Sequence, residues 1–352
     1  MRAKCLGENA VIGLVSPSHV AVPTQYERII SGLEGKGFTV KTGKYLYQAT
    51  YGYLAATWER AADLNNMICD NGVDMIFFGG GTGSVPLLPY IDYESIRKRP
   101  KLFVSYSDGT SILNAIYFQT GLETYYGQTP GLFENISEFD YYQFFSHFVE
   151  NNADCLQGNG KWKTICGGTA EGILVGGYLE NVALEIGSRY FDLRKEEKYL
   201  LFLEDHERFS SVAEIDMYLS HIEQNERIKN VSGLLFGHYS SEECGAGSPL
   251  HQLFELLERF GKRNAIPVAY CDDFGHGERH AILPIGRRVV LDTTRQFIRE
   301  SNQNPNNPLQ CPGNLTQLHA GRDGCFGSCL LHGIGNMDET ALHGSAFVMN
   351  QM

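Results

Sequence analysis

The feature that most restricts the fold of this chain is an alternation. Across residues 1–130, short apolar runs rich in β-forming residues take turns with stretches of helical period. Ala10–Val15, Phe38–Thr42, Met75–Phe78 and Leu102–Tyr106 read as strands. Between them, Thr24-x-x-Glu27 is a capping-box signature for a helix ending near Gly35-Lys36-Gly37. Thr57 is placed to cap a second helix with Ala61, Leu64, Met67 and Ile68 on one face, stopping at Asn71-Gly72. A third, Thr110–Thr120, puts Ile112, Leu113, Ile116 and Tyr117 together. Strands alternating with helices predict an α/β fold whose parallel sheet is covered on both faces. Reactive groups in such sheets gather at the carboxyl ends of the strands.

The chain has 352 residues, which fits two medium domains better than one. Residues 1–150 form the first, closing on an aromatic helix at Phe139–Val149. The polar, turn-rich stretch 151–165 reads as a linker. In 166–300, strands are expected at Gly172–Val175, Tyr199–Leu203, Ser232–Phe236, Ile266–Tyr270 and Arg287–Leu291. Helices are expected at Asn181–Gly187, at Val212–Gln224 behind the cap Ser211-x-x-Glu214, and at Leu250–Phe260. From about Ser301 the periodicity dissolves, and 301–352 is an atypical tail expected to be peripheral. No internal repeat is visible.

Lys and Arg number 29 against 41 Asp and Glu, a net charge of −12. A surface this acidic repels phosphate backbones and anionic lipid, which argues against nucleic-acid or membrane partners. No apolar run approaches membrane-spanning length. The N-terminus has two basic residues but only a short apolar run and no cleavage site, so no signal peptide is expected. Nine scattered Cys without a CxxC fit reduced thiols in the cytoplasm.

Four segments can carry chemistry. Ser107 stands in Ser105-Tyr-Ser107-Asp108-Gly109, between a strand and a helix, the setting of a nucleophile elbow. The plainer alternative is that Ser107 or Asp108 only caps the helix. The loop Gly79-Gly-Gly-Thr-Gly83-Ser84 lets backbone N–H groups approach a phosphate or an oxyanion, or is simply a turn. It matches neither a P-loop nor a first-strand GxGxxG. Glu204 and Asp205 end a strand, where a carboxylate can orient a histidine, with His206 and Glu207 as competitors. His276, flanked by glycines after another strand, suits a proton shuttle. Metal binding by Asp272, Asp273, His276 and His280 is the rival, and the tail's Cys311, His319, Cys325, Cys329 and His332 fit no known zinc spacing.

With Ser107, Glu204 and His276 set out, the chain resembles the LD-carboxypeptidase family of serine peptidases, which includes the microcin C self-immunity peptidases. The resemblance rests on Val15-Ser-Pro-Ser18, Gly80-Gly-Thr-Gly-Ser84…Leu87-Leu-Pro-Tyr90, Tyr106-Ser107-Asp108, Glu171-Gly-Ile-Leu-Val-Gly-Gly177, Leu201–Asp205, Ile215–Leu219, Phe274–Gly277 and Leu283–Gly286. These pieces are collinear over about residues 8–295. Gly79 stands where many members have Arg, Thr82 replaces an aromatic, and Tyr178 sits where Asn is frequent.

The resemblance implies a flavodoxin- or Rossmann-like N-terminal domain plus a β-rich, swivelling C-terminal domain, usually as a homodimer. It implies Ser107 as nucleophile, His276 as general base and Glu204 as its orienting carboxylate. The oxyanion donors would be the N–H groups of Asp108 and Gly81. Independently of the resemblance, Gly80, Thr82, Trp162 and Tyr178 are candidate substrate contacts. No metal or cofactor is called for. The expected reaction is hydrolysis of an L,D amide bond in murein tetrapeptides, releasing D-Ala during cell-wall recycling. An alternative is cleavage of peptidyl or aminoacyl nucleotides, as in microcin C resistance, where Trp162 or Tyr178 could stack on a base. A further alternative is a non-catalytic protein whose glycine loop holds an anion.

Overall fold

A computed structural model of the chain describes residues 1–151, 155–157, 160–241 and 244–301. The first half runs β1 (Val11–Val15), α1 (Pro23–Glu34), β2 (Thr39–Thr42), α2 (Thr57–Cys69), β3 (Met75–Phe78), α3 (Tyr93–Lys98), β4 (Leu102–Ser105), α4 (Thr110–Thr120), β5 (Thr124–Tyr126) and α5 (Glu138–Phe148). The second half adds β6 (Cys155–Gln157), β7 (Trp162–Cys166), β8 (Thr169–Tyr178), α6 (Leu179–Glu185), β9 (Tyr199–Glu204), α7 (Val212–Glu223), β10 (Val231–His238) and α8 (Pro249–Asn264). It closes with β11 (Val268–Gly275), β12 (Leu283–Ile285), β13 (Arg288–Asp292) and β14 (Phe297–Glu300). The chain is therefore α/β, as its alternation predicts.

The first sheet has the order β12-β5-β4-β3-β1-β2, with β1 to β5 parallel. Its last strand, β12, comes from the far end of the chain and pairs antiparallel with β5. The second sheet has the order β6-β14-β13-β8-β9-β10-β11-β7. Its centre, β8 to β11, is parallel, and antiparallel strands flank it. Strands β3, β4 and β9 are apolar runs, closed in β4 by Ser105 and in β9 by Glu204, and each is buried at every residue because both faces are covered.

Three local expectations change. Helix α1 starts at Pro23, which needs no N–H partner there, and Thr24 lies inside the helix. In α2, Ala56 precedes the first helical residue Thr57, and Glu59 accepts the Ala56 N–H at 2.7 Å. The stretch 151–165 is not a linker alone: it supplies β6 and most of β7, the two outermost strands of the second sheet. Edge strands face water on one side, so β7 has no alternating apolar pattern to read. The expected tail, and the zinc alternative placed on it, fall outside the described residues.

Helix α4 ties the two sheets together. It is buried continuously from Thr110 to Phe118, with β8 and α6 packed against it. Asn114 donates to the Gly176 carbonyl at 2.8 Å, and the Tyr178 N–H donates to Thr110 Oγ1 at 2.8 Å. The turn that opens α4 is thereby fixed against the second sheet.

Candidate active site

Ser107 follows β4 in a short turn and has φ 56°, a left-handed conformation that a non-glycine residue holds only under constraint. The constraint is visible. Its N–H donates to Tyr126 Oη at 3.1 Å, and its carbonyl accepts Thr110 Oγ1 at 2.7 Å. A Cβ on Gly80 would come 2.7 Å from Ser107 Cβ, so only glycine lets this loop pass. Gly81, at φ 129°, is held likewise by the Ser18 carbonyl.

Glu204 ends β9 and His276 follows β11, both at carboxyl ends of parallel strands. His276 Nδ1 lies 2.7 Å from Glu204 Oε2, and His276 Nε2 lies 3.2 Å from Ser107 Oγ. Glu204 is 0% exposed. Its other oxygen accepts the hydroxyl of Tyr126, the same hydroxyl that receives the Ser107 N–H. One tyrosine thus sets the serine backbone and the carboxylate together. The His276 ring is enclosed by aromatics, with centroid distances of 4.5 Å to Tyr106, 4.9 Å to Phe209 and 5.4 Å to Tyr178.

These groups open into a cavity of about 790 Å³, within the range of small-molecule sites. Gly80, Gly81, Thr82, Asp108 and Tyr178 line it, as the sequence suggests. The Asp108 side chain is already engaged: one oxygen accepts the Ser84 N–H at 2.8 Å, the other Asn181 Nδ2 at 3.0 Å. What Asp108 offers the cavity is backbone. Trp162 is a correction. It sits on edge strand β7 opposite Cys271, half-buried against the core, and does not line the cavity. Phe209, 56% exposed, lines it together with Tyr26, Tyr106 and Tyr178.

The alternative metal set is dispersed. His276 turns to Glu204, His280 Nδ1 faces Asp140 at 3.2 Å, Arg279 pairs with Asp273 at 3.0 Å, and Asp272 meets His238 and Tyr270. Among the described residues, no group of three or more His, Cys, Asp or Glu is gathered as a metal ion would need. Nor is any described helix long and apolar enough to cross a membrane.

Beside Glu204, Asp205 is fully buried and accepts the His206 N–H at 2.7 Å. Burial, with the Glu204 charge adding to it, pushes its carboxyl up to about 7. Between the ordinary carboxylate range and 7, the folded state keeps a proton that the unfolded state has lost, so stability falls as pH rises through that window. Asp205→Asn, which keeps the acceptor for His206, is expected to flatten this slope. At about 1.4 kcal/mol per unit, the variant should gain on the order of 4 kcal/mol over the parent between pH 4 and pH 8. Denaturant unfolding at both pH values measures it, and parallel profiles would refute the assignment.

A serine on a constrained turn, in line with an imidazole and a buried carboxylate, is the arrangement of the serine peptidases. The chain belongs to the LD-carboxypeptidase family: the family's N-terminal domain model matches residues 12–127 and its C-terminal domain model residues 171–291. A Vibrio cholerae protein carrying a carboxypeptidase name is 31% identical over 82% of this chain and 94% of its own. The microcin C7 self-immunity protein MccF of Escherichia coli is 28% identical over 83% and 93%. Among solved structures, MccF in its wild-type apo state aligns with TM-score 0.74 at 26% identity, covering 86% of this chain and 98% of that one. An MccF-like protein from Bacillus anthracis str. Ames shares the fold with TM-score 0.76 at 24% identity, covering 85% and 99%.

Proposed function

We propose that the protein is a serine carboxypeptidase that cleaves an amide bond near the carboxyl end of a small peptide through an acyl-enzyme. The observation that carries this reading is the line Ser107–His276–Glu204, with spacings of 3.2 and 2.7 Å. In the first step His276 Nε2 takes the Ser107 proton as Oγ attacks the carbonyl carbon. Glu204 holds the ring through Nδ1 and balances the charge the imidazole acquires. The N–H groups of Asp108 and Gly81 receive the developing oxyanion, each such donor contributing about 3 kcal/mol of barrier lowering. His276 then passes its proton to the departing amine, and water repeats the cycle to release the acyl half.

The substrate proposed is a murein-derived tetrapeptide cleaved at its L,D bond with release of D-Ala. One of the relatives, from Bacillus subtilis, is named a murein peptide carboxypeptidase and is 28% identical over 84% of this chain. A second reading, an aminoacyl nucleotide, is favoured by one feature. Phe209 and Tyr178 stand edge to face at 6.4 Å on the cavity wall, and the exposed face of Phe209 can take a base. MccF has been solved with aspartyl sulfamoyl adenosine.

Incubation of the protein with a murein tetrapeptide and, separately, with an aminoacyl-sulfamoyl adenosine, followed by mass spectrometry, tests both. Release of D-Ala is the expected result. Cleavage of the adenosine compound alone would transfer the function to the second reading. Failure to cleave either, with no labelling of Ser107 by a fluorophosphonate, would end the hydrolase proposal.

A further inference from the structure

The cavity wall holds a second imidazole that the chemistry above leaves unused. His19 follows the Ser16-Pro17-Ser18 turn after β1, and its segment is bonded to the glycine loop through the Thr82 N–H on the Ser18 carbonyl at 2.8 Å. Its Nε2 lies 2.9 Å from Tyr26 Oη, and Ser16 Oγ is 3.4 Å from the same nitrogen. The ring packs over Gly79, where a Cβ would come 3.0 Å from Cε1, so a larger residue there would press on the imidazole. Tyr26, from α1, lines the cavity with His19 and is otherwise buried.

The charge inventory gives this pair its meaning. Among the described residues lining the cavity there is no Lys or Arg, and of the two acids the Asp108 carboxylate is already occupied. Of those same residues, the groups able to become cationic are His276 and His19. His276 is taken up by proton transfer in the proposed reaction. A substrate carrying an oxyanion would bury that charge without a partner unless a cation or strong donors receive it.

We infer that His19 and Tyr26 form a subsite for an oxyanion of the substrate, a carboxylate or phosphate-type group. The inference rests on the proposed hydrolysis only for which molecule brings the anion. With the cavity empty, Tyr26 Oη–H donates to His19 Nε2. When the anion arrives, His19 Nε2 takes a proton from a buffer acid, whose conjugate base stays in solution, Nε2–H donates to Tyr26 Oη, and the tyrosine O–H turns to the anion. The hydroxyl passes the imidazolium charge forward, and the one covalent change is the Nε2–H bond formed as the buffer acid gives up its proton. The groups facing His19 are Tyr26, Ser16 and the Gly79–Gly81 backbone, with Tyr47 behind Tyr26; no carboxylate pairs with His19 among the described residues. Burial lowers the His19 pKa in the empty cavity, against the pull of the Gly80 backbone, so the proton is taken up on binding.

The test measures binding rather than turnover, on the full chain carrying Ser107→Ala. Calorimetry compares a murein tetrapeptide with its carboxyl-terminal amide, and AMP with adenosine. The charged member of one pair is expected to bind at least tenfold more tightly. That ratio should collapse towards one in His19→Asn and in Tyr26→Phe. Collapse in the peptide pair identifies a carboxylate, and collapse in the nucleotide pair identifies a phosphate. Absence of any preference in the starting protein, or a preference that survives both substitutions, overturns the inference. Should either variant fail to fold, NMR of 13Cε1-labelled histidine in the starting protein decides: the His19 titration must move to higher pH with the charged ligand and stay put with its neutral counterpart. These readouts stand even if neither compound is hydrolysed, so failure here and failure of the hydrolase reading are separable.

Discussion

Replacing Ser107 by alanine is expected to abolish turnover and leave the fold intact. The hydroxyl makes one contact that matters for the reaction, the 3.2 Å approach to His276 Nε2. The contacts that hold the turn are backbone ones, the Ser107 N–H on Tyr126 and the Ser107 carbonyl under Thr110, and alanine keeps both. Alanine also keeps the Cβ against which Gly80 is fitted, and it bears the left-handed φ at the same cost as serine. The stability change should therefore stay within about 1 kcal/mol. The loss in kcat should be large, since removing a serine nucleophile from a comparable constellation costs on the order of 10⁶-fold. Thermal unfolding and single-turnover hydrolysis on the same preparation measure both halves. A Ser107→Ala protein that unfolds normally and still turns over at the parent rate would remove Ser107 from the reaction.

The parts of the fold that the sequence reveals are those whose pattern is local. Strands β3 and β9 are uninterrupted apolar runs, and α7 announces itself by Ser211 and Glu214, whose side chains do close the expected box, at 2.7 Å from the Ser211 N–H and 3.4 Å from the Glu214 N–H. The parts it conceals depend on distant partners. β5 and β12 are three residues each: β5 is held between β4 and β12, and β12 pairs with β5 from far along the chain. β6 and β7 lie at the margins of the second sheet, and without an alternating apolar pattern in β7 the stretch around them reads as linker.

The site divides along the same line. Ser107, Glu204 and His276 can be picked out because each ends or follows a strand in a recognisable local setting. Tyr126 cannot: its hydroxyl matters only because β5 lies beside β4, which places it under both Ser107 and Glu204. Phe209 carries a weak signal, an aromatic in a polar turn after Glu204-Asp205. Trp162 stands out by residue type alone, and residue type says nothing about which side of a sheet edge a ring will occupy.

Glu204→Gln separates orientation from mere shape. Glutamine fills the same space, but one end of the group must now be an N–H₂. If the amide nitrogen faces His276, it donates to Nδ1, forces the proton onto Nε2, and leaves no acceptor for the Ser107 hydroxyl. If it turns towards Tyr126 instead, the tyrosine loses the oxygen to which it donates, and the imidazolium formed during attack has no anion beside it in a site where Glu204 is 0% exposed. Either way kcat should fall by about 10⁴-fold, with KM little changed, because both defects lie in the proton transfer and neither changes a group that lines the cavity. Tyr126→Phe should cost less. It removes a hydrogen bond to a buried carboxylate, about 1.5–3 kcal/mol or roughly 10- to 100-fold in kcat, together with the one that the Ser107 N–H gives to the same hydroxyl. Steady-state kinetics on both variants gives the comparison. A Glu204→Gln protein with parental kcat would mean that the carboxylate does not serve the histidine, whatever their 2.7 Å separation suggests.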